Sequence, residues 1–469
     1  MKTKTYTVIL CVQAVLVTAV MVLELGSCRS QISPGQPKVP AGTVALLERI
    51  ETLLGRGEYD EALGLFNQID PRDAEKSEIK LLKASAYISA GEPGEARAIA
   101  EAVLQGDPNH IQAVMVLAAV EAATGRNREE KALLERALKI DPADAAALVS
   151  MGNFQIRNNS TRLAGGYYDK ALEADPHNGE ALVGRAWVYR NSREPKKAEE
   201  LLNKAVGLYP QWARPIHERG RLYKASGFPK EALADLDKAK ALEPDNYFIA
   251  CDRGNALIDL GRKPEALAEY ERAISIDSGY FLAYVYTAGI KDELGDYDGA
   301  EQDYEKLVRL NPDYYFAFEG LGMHMMRRGD WLAARDAFME AYRRAKEDEG
   351  AYGLLAAMNW MRGGKIQDPK AFLEEVMRKV QRDSLEYWML RLYHDLVGDA
   401  DIALRIDREK NPALKARMLY YLANYYDIRG NKGLADKYFL LVQELNIKNI
   451  PEWRLNEWAL EERGLALNQ

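Results

Sequence analysis

Cysteine is scarce in this chain, with three in 469 residues (Cys11, Cys28 and Cys251). That is too few for a disulfide-stapled scaffold. Histidine is nearly as rare. The five, His110, His177, His217, His324 and His394, are scattered with no i, i+4 pair and no cysteine beside them, so no metal site is expected. Motifs that would announce an enzyme are missing too. There is no HExxH, GxSxG, GxxxxGK[ST] or GxGxxG, so neither catalysis nor a cofactor is expected. Basic charge is not in excess: 63 Lys and Arg face 71 Asp and Glu, a net charge of −8. The electrostatic footprint of a nucleic-acid binder is therefore lacking. Long apolar runs are absent apart from Val8–Leu23, interrupted only by Gln13 and Thr18 and short for a membrane span.

That run is informative in its setting. Lys2 and Lys4 precede it, and Leu25-Gly26-Ser27-Cys28 follows, the layout of a cleaved secretory signal. The tetrapeptide resembles the lipobox of bacterial lipoproteins, although Glu24 departs from the usual apolar character and Gly26 is a less common choice. The resemblance implies that residues 1–27 are removed and that Cys28 becomes a lipidated N-terminus. Two or three acyl chains suffice for stable anchoring. Cleavage would take away two lysines and one glutamate and leave a net charge of −9. Arg29 is not the aspartate that retains enterobacterial lipoproteins at the inner membrane, so an outer-membrane, periplasm-facing location is expected. Residues 28–42 follow as the lipidated cysteine and a Pro/Gly-rich flexible tether.

The prolines, only 18 in all, fall on a grid. Pro108, Pro142, Pro176, Pro210, Pro244 and Pro312 keep a 34-residue spacing, with Ser278 in the one vacant slot. Ala164, Ala198, Ala232, Ala266, Ala300 and Ala334 keep the same period. A period of this length signals a stacked helix–turn–helix array. Units start near residues 43, 77, 111, 145, 179, 213, 247, 281 and 315, each with a small residue in its first helix (Gly152, Gly220 and Gly254 among them). Most place a glycine or polar turn seven residues further on, as at Gly125 and Asn159. Pro195, Pro229 and Pro264 open second helices, where a missing N–H costs nothing.

Two segments, RGRLYKASGFPKEALADLDKAKALEPD from Arg219 and RGNALIDLGRKPEALAEYERAISID from Arg253, closely resemble the tetratricopeptide repeat. The resemblance is strong over 43–348, about nine regular repeats, and weaker over 349–448, where three degenerate units can be counted. Residues 449–469 read as a capping helix and tail, which a solenoid needs over its last apolar face. The family likeness implies an all-α, right-handed superhelical solenoid of about twelve repeats whose first helices line a concave groove.

In that family, positions 2, 5, 9 and 12 of each first helix face the groove, one face of a 3.6-residue period. The unit from 213 presents Arg214, His217, Arg221 and Lys224 there. Its neighbours add Trp187 and Arg190 on one side and Phe248 and Asn255 on the other. Guanidinium groups favour carboxylates, so these eight residues predict a basic pocket with aromatic walls. Its ligand would be an acidic segment or C-terminal carboxylate of a protein partner, or an acidic polysaccharide. The competing expectation is a solvated face closed by salt bridges within the array. The carboxylate-clamp pattern of the family is met only by Asn153 and Arg221, with His217 a loose substitute, so a chaperone-tail clamp is not expected. Further along the stripe turns apolar, through Leu282, Val285, Gly289, Phe316, Glu319, Met323 and Met326. It suits an amphipathic helix or the chain's own C-terminal turn. Asp296-Tyr297-Asp298-Gly299 resembles a calcium loop but lacks the further oxygen ligands and is expected to cap a helix.

The functional expectation is a lipid-anchored scaffold in an envelope assembly, secretion or export complex. The alternatives are a glycan-binding scaffold of exopolysaccharide export and an accessory subunit of a transporter.

Overall fold

A computed structural model describes residues 41–55, 57–345 and 349–465. Cys28 and the signal and tether segments lie outside the described residues. The described residues are helical throughout and contain no strand. The chain divides after Pro244 into two compact units.

Among the described residues the first unit holds six helix pairs and one short extra helix, Pro71–Ala74. Its first pair is irregular: after Ala41–Gly55, the second helix Tyr59–Leu65 runs into a 3-10 turn, Phe66–Gln68. The other pairs are Ser77–Ser89 with Pro93–Gly106, Ile111–Thr124 with Asn127–Ile140, Ala145–Arg157 with Thr161–Ala174, Gly179–Asn191 with Pro195–Leu208, and Ala213–Ala225 with Pro229–Leu242. Each pair packs mainly on the next, so burial is a chain of neighbouring cores.

The 34-residue grid has a backbone cause. The turn inside each pair needs one left-handed residue, and Gly125 supplies it at φ 74°, with the Arg126 N–H donating to the Glu121 carbonyl at 2.9 Å. This is the hydrogen-bonded helix ending that glycine favours. Where glycine is missing, Asn159 (φ 57°) and Arg193 (φ 61°) adopt the same conformation. The asparagine does so at little cost; the arginine was not among the expected turn residues. Between pairs the grid proline stops the second helix, and the residue before it closes the turn. The carboxylates of Asp107, Asp141 and Asp175 accept from backbone N–H groups two residues on, at 3.0, 2.9 and 3.0 Å. That is an Asx turn, a second periodic signal that the prolines had masked.

The second unit opens with three regular pairs, Tyr247–Asp259 with Lys263–Ile276, Phe281–Leu294 with Tyr297–Leu310, and Tyr315–Arg327 with Trp331–Arg344. Asp296 caps the fourth of these helices, accepting from the Gly299 N–H at 3.1 Å. The pattern then changes. Glu349–Arg362, Lys370–Lys379, Leu385–Asp395, Asp399–Arg408 and Lys432–Leu445 gather with Pro412–Ile428 into one continuous core. Pro412–Ile428 touches five other helices, and every residue from Met418 to Tyr426 is buried. Apolar residues at almost every position of LYYLANYY make a helix that must be covered all round. The paired tyrosines find partners for their hydroxyls: Tyr421 donates to Glu452 at 2.8 Å, Tyr425 to the Leu396 carbonyl at 2.9 Å, and Tyr426 to Asp399 at 2.7 Å.

The final helix, Pro451–Glu462, covers this core and also reaches back to Tyr315–Arg327. Trp458 Nε1 donates to the Tyr297 hydroxyl at 3.3 Å, and the two rings meet edge to face at 5.4 Å. Part of the apolar stripe, Met326 in particular, belongs to the C-terminal core. Leu282 and Phe316 stay 49% and 46% exposed.

Candidate functional site

The eight expected groove residues divide between the units. Trp187, Arg190, Arg214, His217, Arg221 and Lys224 belong to the first, Phe248 and Asn255 to the second.

In the first unit the three arginines of the stripe are not set apart from acid. Arg214 pairs with Glu180, which occupies the same position one repeat earlier. Arg190 donates to Glu218 at 2.6 Å, and Arg221 donates to the other oxygen of Glu218 at 2.9 Å. Glu218 is thus the hub of the stripe, although its position lies just outside the 2-5-9-12 set. Its location 28 residues after Arg190 and 3 before Arg221 was the sequence signal for it. Burial works against its charge, but Arg221, Arg190, His217 and Arg214 outweigh this and hold the carboxyl down at about 2. Burial likewise disfavours the Arg214 cation, yet the charge and hydrogen bond of Glu180 raise its pKa.

Exposure separates the roles. The side chains of Arg190 and Glu218 are each 15% exposed and Arg214 is 23% exposed, whereas Arg221 is 41% exposed. Arg190 and Arg214 are therefore inter-repeat staples, as are Arg157 on Glu130 and Arg97 on Glu121 elsewhere in the unit. Arg221 is the exposed member of the stripe, whereas His217 and Lys224 are half-buried like Arg190 and Arg214. Trp187 is half-buried and packs against the core around Val149 and Tyr168, so its ring is mainly a packing group. Val183, between Glu180 and Trp187 on the stripe, is buried.

In the second unit Asn255 accepts from the Tyr270 hydroxyl at 2.9 Å. Asn153 does the same for Tyr168 at 2.7 Å in the first unit. Both asparagines anchor a buried tyrosine whose ring fills the space left by the preceding glycine, Gly254 or Gly152. Phe248 stacks on Tyr247 at 4.1 Å and meets Tyr280 edge-on at 5.8 Å. The buried Cys251 thiol is pushed up to about 12, chiefly by desolvation, so it stays protonated and unreactive.

The apolar stripe leads to a cavity of about 300 Å³ between Phe281–Leu294, Tyr297–Leu310 and Tyr315–Arg327, lined by Val285, Tyr304, Phe316, Glu319 and Met323 among others. Glu319 accepts from the Tyr352 hydroxyl. Tyr304 donates to Asp292 at 2.7 Å, and the other Asp292 oxygen lies 2.8 Å from His324 Nε2. Among the described residues no His, Cys, Asp and Glu group could hold a metal ion, and no helix is long and apolar enough to cross a membrane.

Two family models, both described as tetratricopeptide repeat, match residues 87–151 and 156–215, and residues 217–281 and 291–349. Together they take in more than half of the chain. The protein belongs to the tetratricopeptide repeat family.

Among solved tetratricopeptide repeat structures, Pseudomonas aeruginosa PilF is similar with 22% identity and a TM-score of 0.40, over 44% of this chain and 94% of its own. PilW, a widely conserved type IV pilus biogenesis factor, has 22% identity and a TM-score of 0.39 over 44% and 94%. YrrB, described as having an unusual peptide-binding site, has 21% identity and a TM-score of 0.31 over 39% and 95%. No curated protein sequence matches the chain significantly. As a tetratricopeptide repeat protein, it is a scaffold for protein–protein interaction, and its first-helix stripes are where a partner is sought.

Proposed function

We propose that this protein is a lipid-anchored tetratricopeptide repeat scaffold, held by Cys28 at the periplasmic face of a bacterial outer membrane. There it binds a protein partner in an envelope assembly, secretion or export complex. The anchor rests on the Leu25–Cys28 box and the basic, apolar segment before it. The observation that carries the binding site is the arrangement around Glu218. Half-buried arginines fix the stripe, while Arg221 stands 41% exposed at its edge. An ion pair at that exposure is worth little and exchanges readily, so an incoming carboxylate can share Arg221 bidentately. An acidic segment or a C-terminus of the partner is the ligand chemistry this favours.

Arg221, the exposed cation, and Lys224, one turn further along the same face, are the ones to reverse. Arg214→Glu would set a carboxylate beside Glu180 and test folding instead. Arg221→Glu/Lys224→Glu is expected to lower recovery of the partner in pull-downs about fivefold, the scale of losing favourable rim charges. Unchanged recovery sinks the basic-stripe reading, and retention of an acidic glycan in place of a protein moves it to polysaccharide export. For the anchor, labelled palmitate should enter the wild-type protein and be lost in Cys28→Ala; label that persists contradicts it.

A further inference from the structure

We infer that the seam between Thr161–Ala174 and Gly179–Asn191, in the first unit, is a binding site for a small hydroxylated carboxylic acid the size of a hexuronate. The site lies off the 2-5-9-12 stripe, so it does not depend on the Arg221 reading.

A missing side chain opens the seam. The fifth residue of every other regular second helix is large, as at Leu233 and Leu267. In several repeats it ties that helix to the next repeat: Arg97 reaches Glu121, Glu199 accepts from the Tyr223 hydroxyl at 2.9 Å, and Glu301 pairs with Arg328. In Thr161–Ala174 the fifth residue is Gly165, followed by Gly166, where a built Cβ meets nothing within 4 Å. A cavity of about 510 Å³ is left, with Thr161, Arg162, Asp169, Arg185 and Ser192 in its wall. That volume is within the range of small-molecule pockets and exceeds what one acidic side chain fills.

Charge selects the ligand. Arg219 and Arg253, at the position of Arg185 in the next two repeats, pair with Asp235 and Glu269 of their own repeats. The matching residue for Arg185 is Leu201. Its guanidinium turns back instead over Gly165, with Nη1 2.7 Å from where a Cβ would sit, and Nε donates to Asp169 at 2.7 Å. Its side chain is 17% exposed and stacks on Tyr189 at 4.0 Å. Among the described residues nothing accepts from its two terminal nitrogens, and Arg162 has no ion-pair partner. Two arginines against one aspartate leave the cavity a net charge of +1. A monoanion matches that charge, whereas a phosphate dianion would place surplus negative charge beside Asp169. Guanidinium groups take carboxylates bidentately, and the hydroxyls of Thr161 and Ser192 suit the hydroxyls of a sugar acid.

The test is calorimetric titration of the full chain at low salt, where charge contributes most. The probes are galacturonate, its linear trimer, galactose, inorganic phosphate and a hexaglutamate peptide. Galacturonate is expected to bind with a Kd on the order of 1 mM, the scale its size allows, and galactose at least tenfold more weakly. Arg162→Ala, at an exposed position, should weaken galacturonate about tenfold, the value of one charged hydrogen bond. Gly165→Leu restores the residue type of Leu233 and Leu267. It should abolish binding without lowering the melting temperature, because leucine is the better helix former. If displacing Arg185 lowers stability instead, Arg162→Ala decides alone. Tighter binding of the trimer assigns the site to an acidic glycan and equal binding to a free acid, and both support the inference. It is overturned if the wild type does not bind galacturonate, if galactose binds as tightly, or if neither variant weakens binding. Phosphate or hexaglutamate binding more tightly through Arg162 overturns it too. So does binding lost in Arg221→Glu but kept in Arg162→Ala, which would put the acid on the first-helix stripe.

Discussion

Replacing Glu218 by glutamine is expected to be among the most damaging single changes in the first unit, although it removes one charge from a partly open stripe. The carboxylate holds Arg190 and Arg221 directly, and its pKa near 2 reports how strongly the surrounding cations favour its ionised form. The gap from the ordinary 4.5 corresponds to about 3 kcal/mol of folded-state stability. That matches the roughly 3–5 kcal/mol lost when one partner of a buried pair is removed. Because the folded pKa is depressed, this contribution is complete above pH 4.5 and fades as the pH falls toward 2. Urea melts at pH 7 should therefore place Glu218→Gln about 3 kcal/mol below wild type, with less than half of that difference left at pH 3. Equal stabilities at pH 7, or a difference independent of pH, would show that Glu218 is an ordinary solvated carboxylate. Melts followed by helical signal are appropriate, since repeats unfold partly as neighbours and a local loss can precede the global one.

The second large effect is expected at Tyr168. Its ring is fully buried and lies against two glycines, Gly152 of its own repeat and Gly184 of the next. Its hydroxyl reaches Asn153 at 2.7 Å. Tyr168→Ala removes the group that two first helices share, and a loss of about 4 kcal/mol is expected for an aromatic truncated in a closed core. The converse change is informative as well. A Cβ at Gly184 would sit 2.6 Å from the ring, so Gly184→Ala should cost about 2 kcal/mol by overpacking despite alanine's better helix propensity. If Gly184→Ala were neutral or stabilising, the ring would have room to move and the close approach would be incidental. Thermal melts of the two variants read this directly.

These residues show where sequence reading reached and where it stopped. The prolines, the turn glycines and the alanines at 34-residue spacing act within a few residues of themselves, by ending a helix, permitting a left-handed turn or admitting a neighbour. Such local causes leave a local trace, and the helix pairs follow from them. The stripe was legible as a row of cations for the same reason, since Arg214, His217, Arg221 and Lys224 lie on one face of one helix. The pairings that cross from one repeat to the next were not. Glu180 lies 34 residues before Arg214, and Glu218 lies 28 after Arg190; only the stacking of one repeat on the next brings them within reach. Asn255 and Trp187 likewise read as open groove residues, because the tyrosine and core atoms that occupy them come from other helices.

The degenerate C-terminal repeats make the same point at larger scale. Helix pairs can be counted there from spacing, but that Pro412–Ile428 gathers five neighbours around it depends on side chains up to 70 residues apart, such as the Tyr421 hydroxyl on the Ala351 carbonyl. By itself the sequence determined the helices, their period and the family, because turn chemistry and helical periodicity are short-range. Tertiary structure alone decided which arginines are staples and which stay exposed, and where the apolar stripe is covered or left open. Those outcomes depend on burial and charge pairing between repeats, to which residues distant along the chain contribute equally.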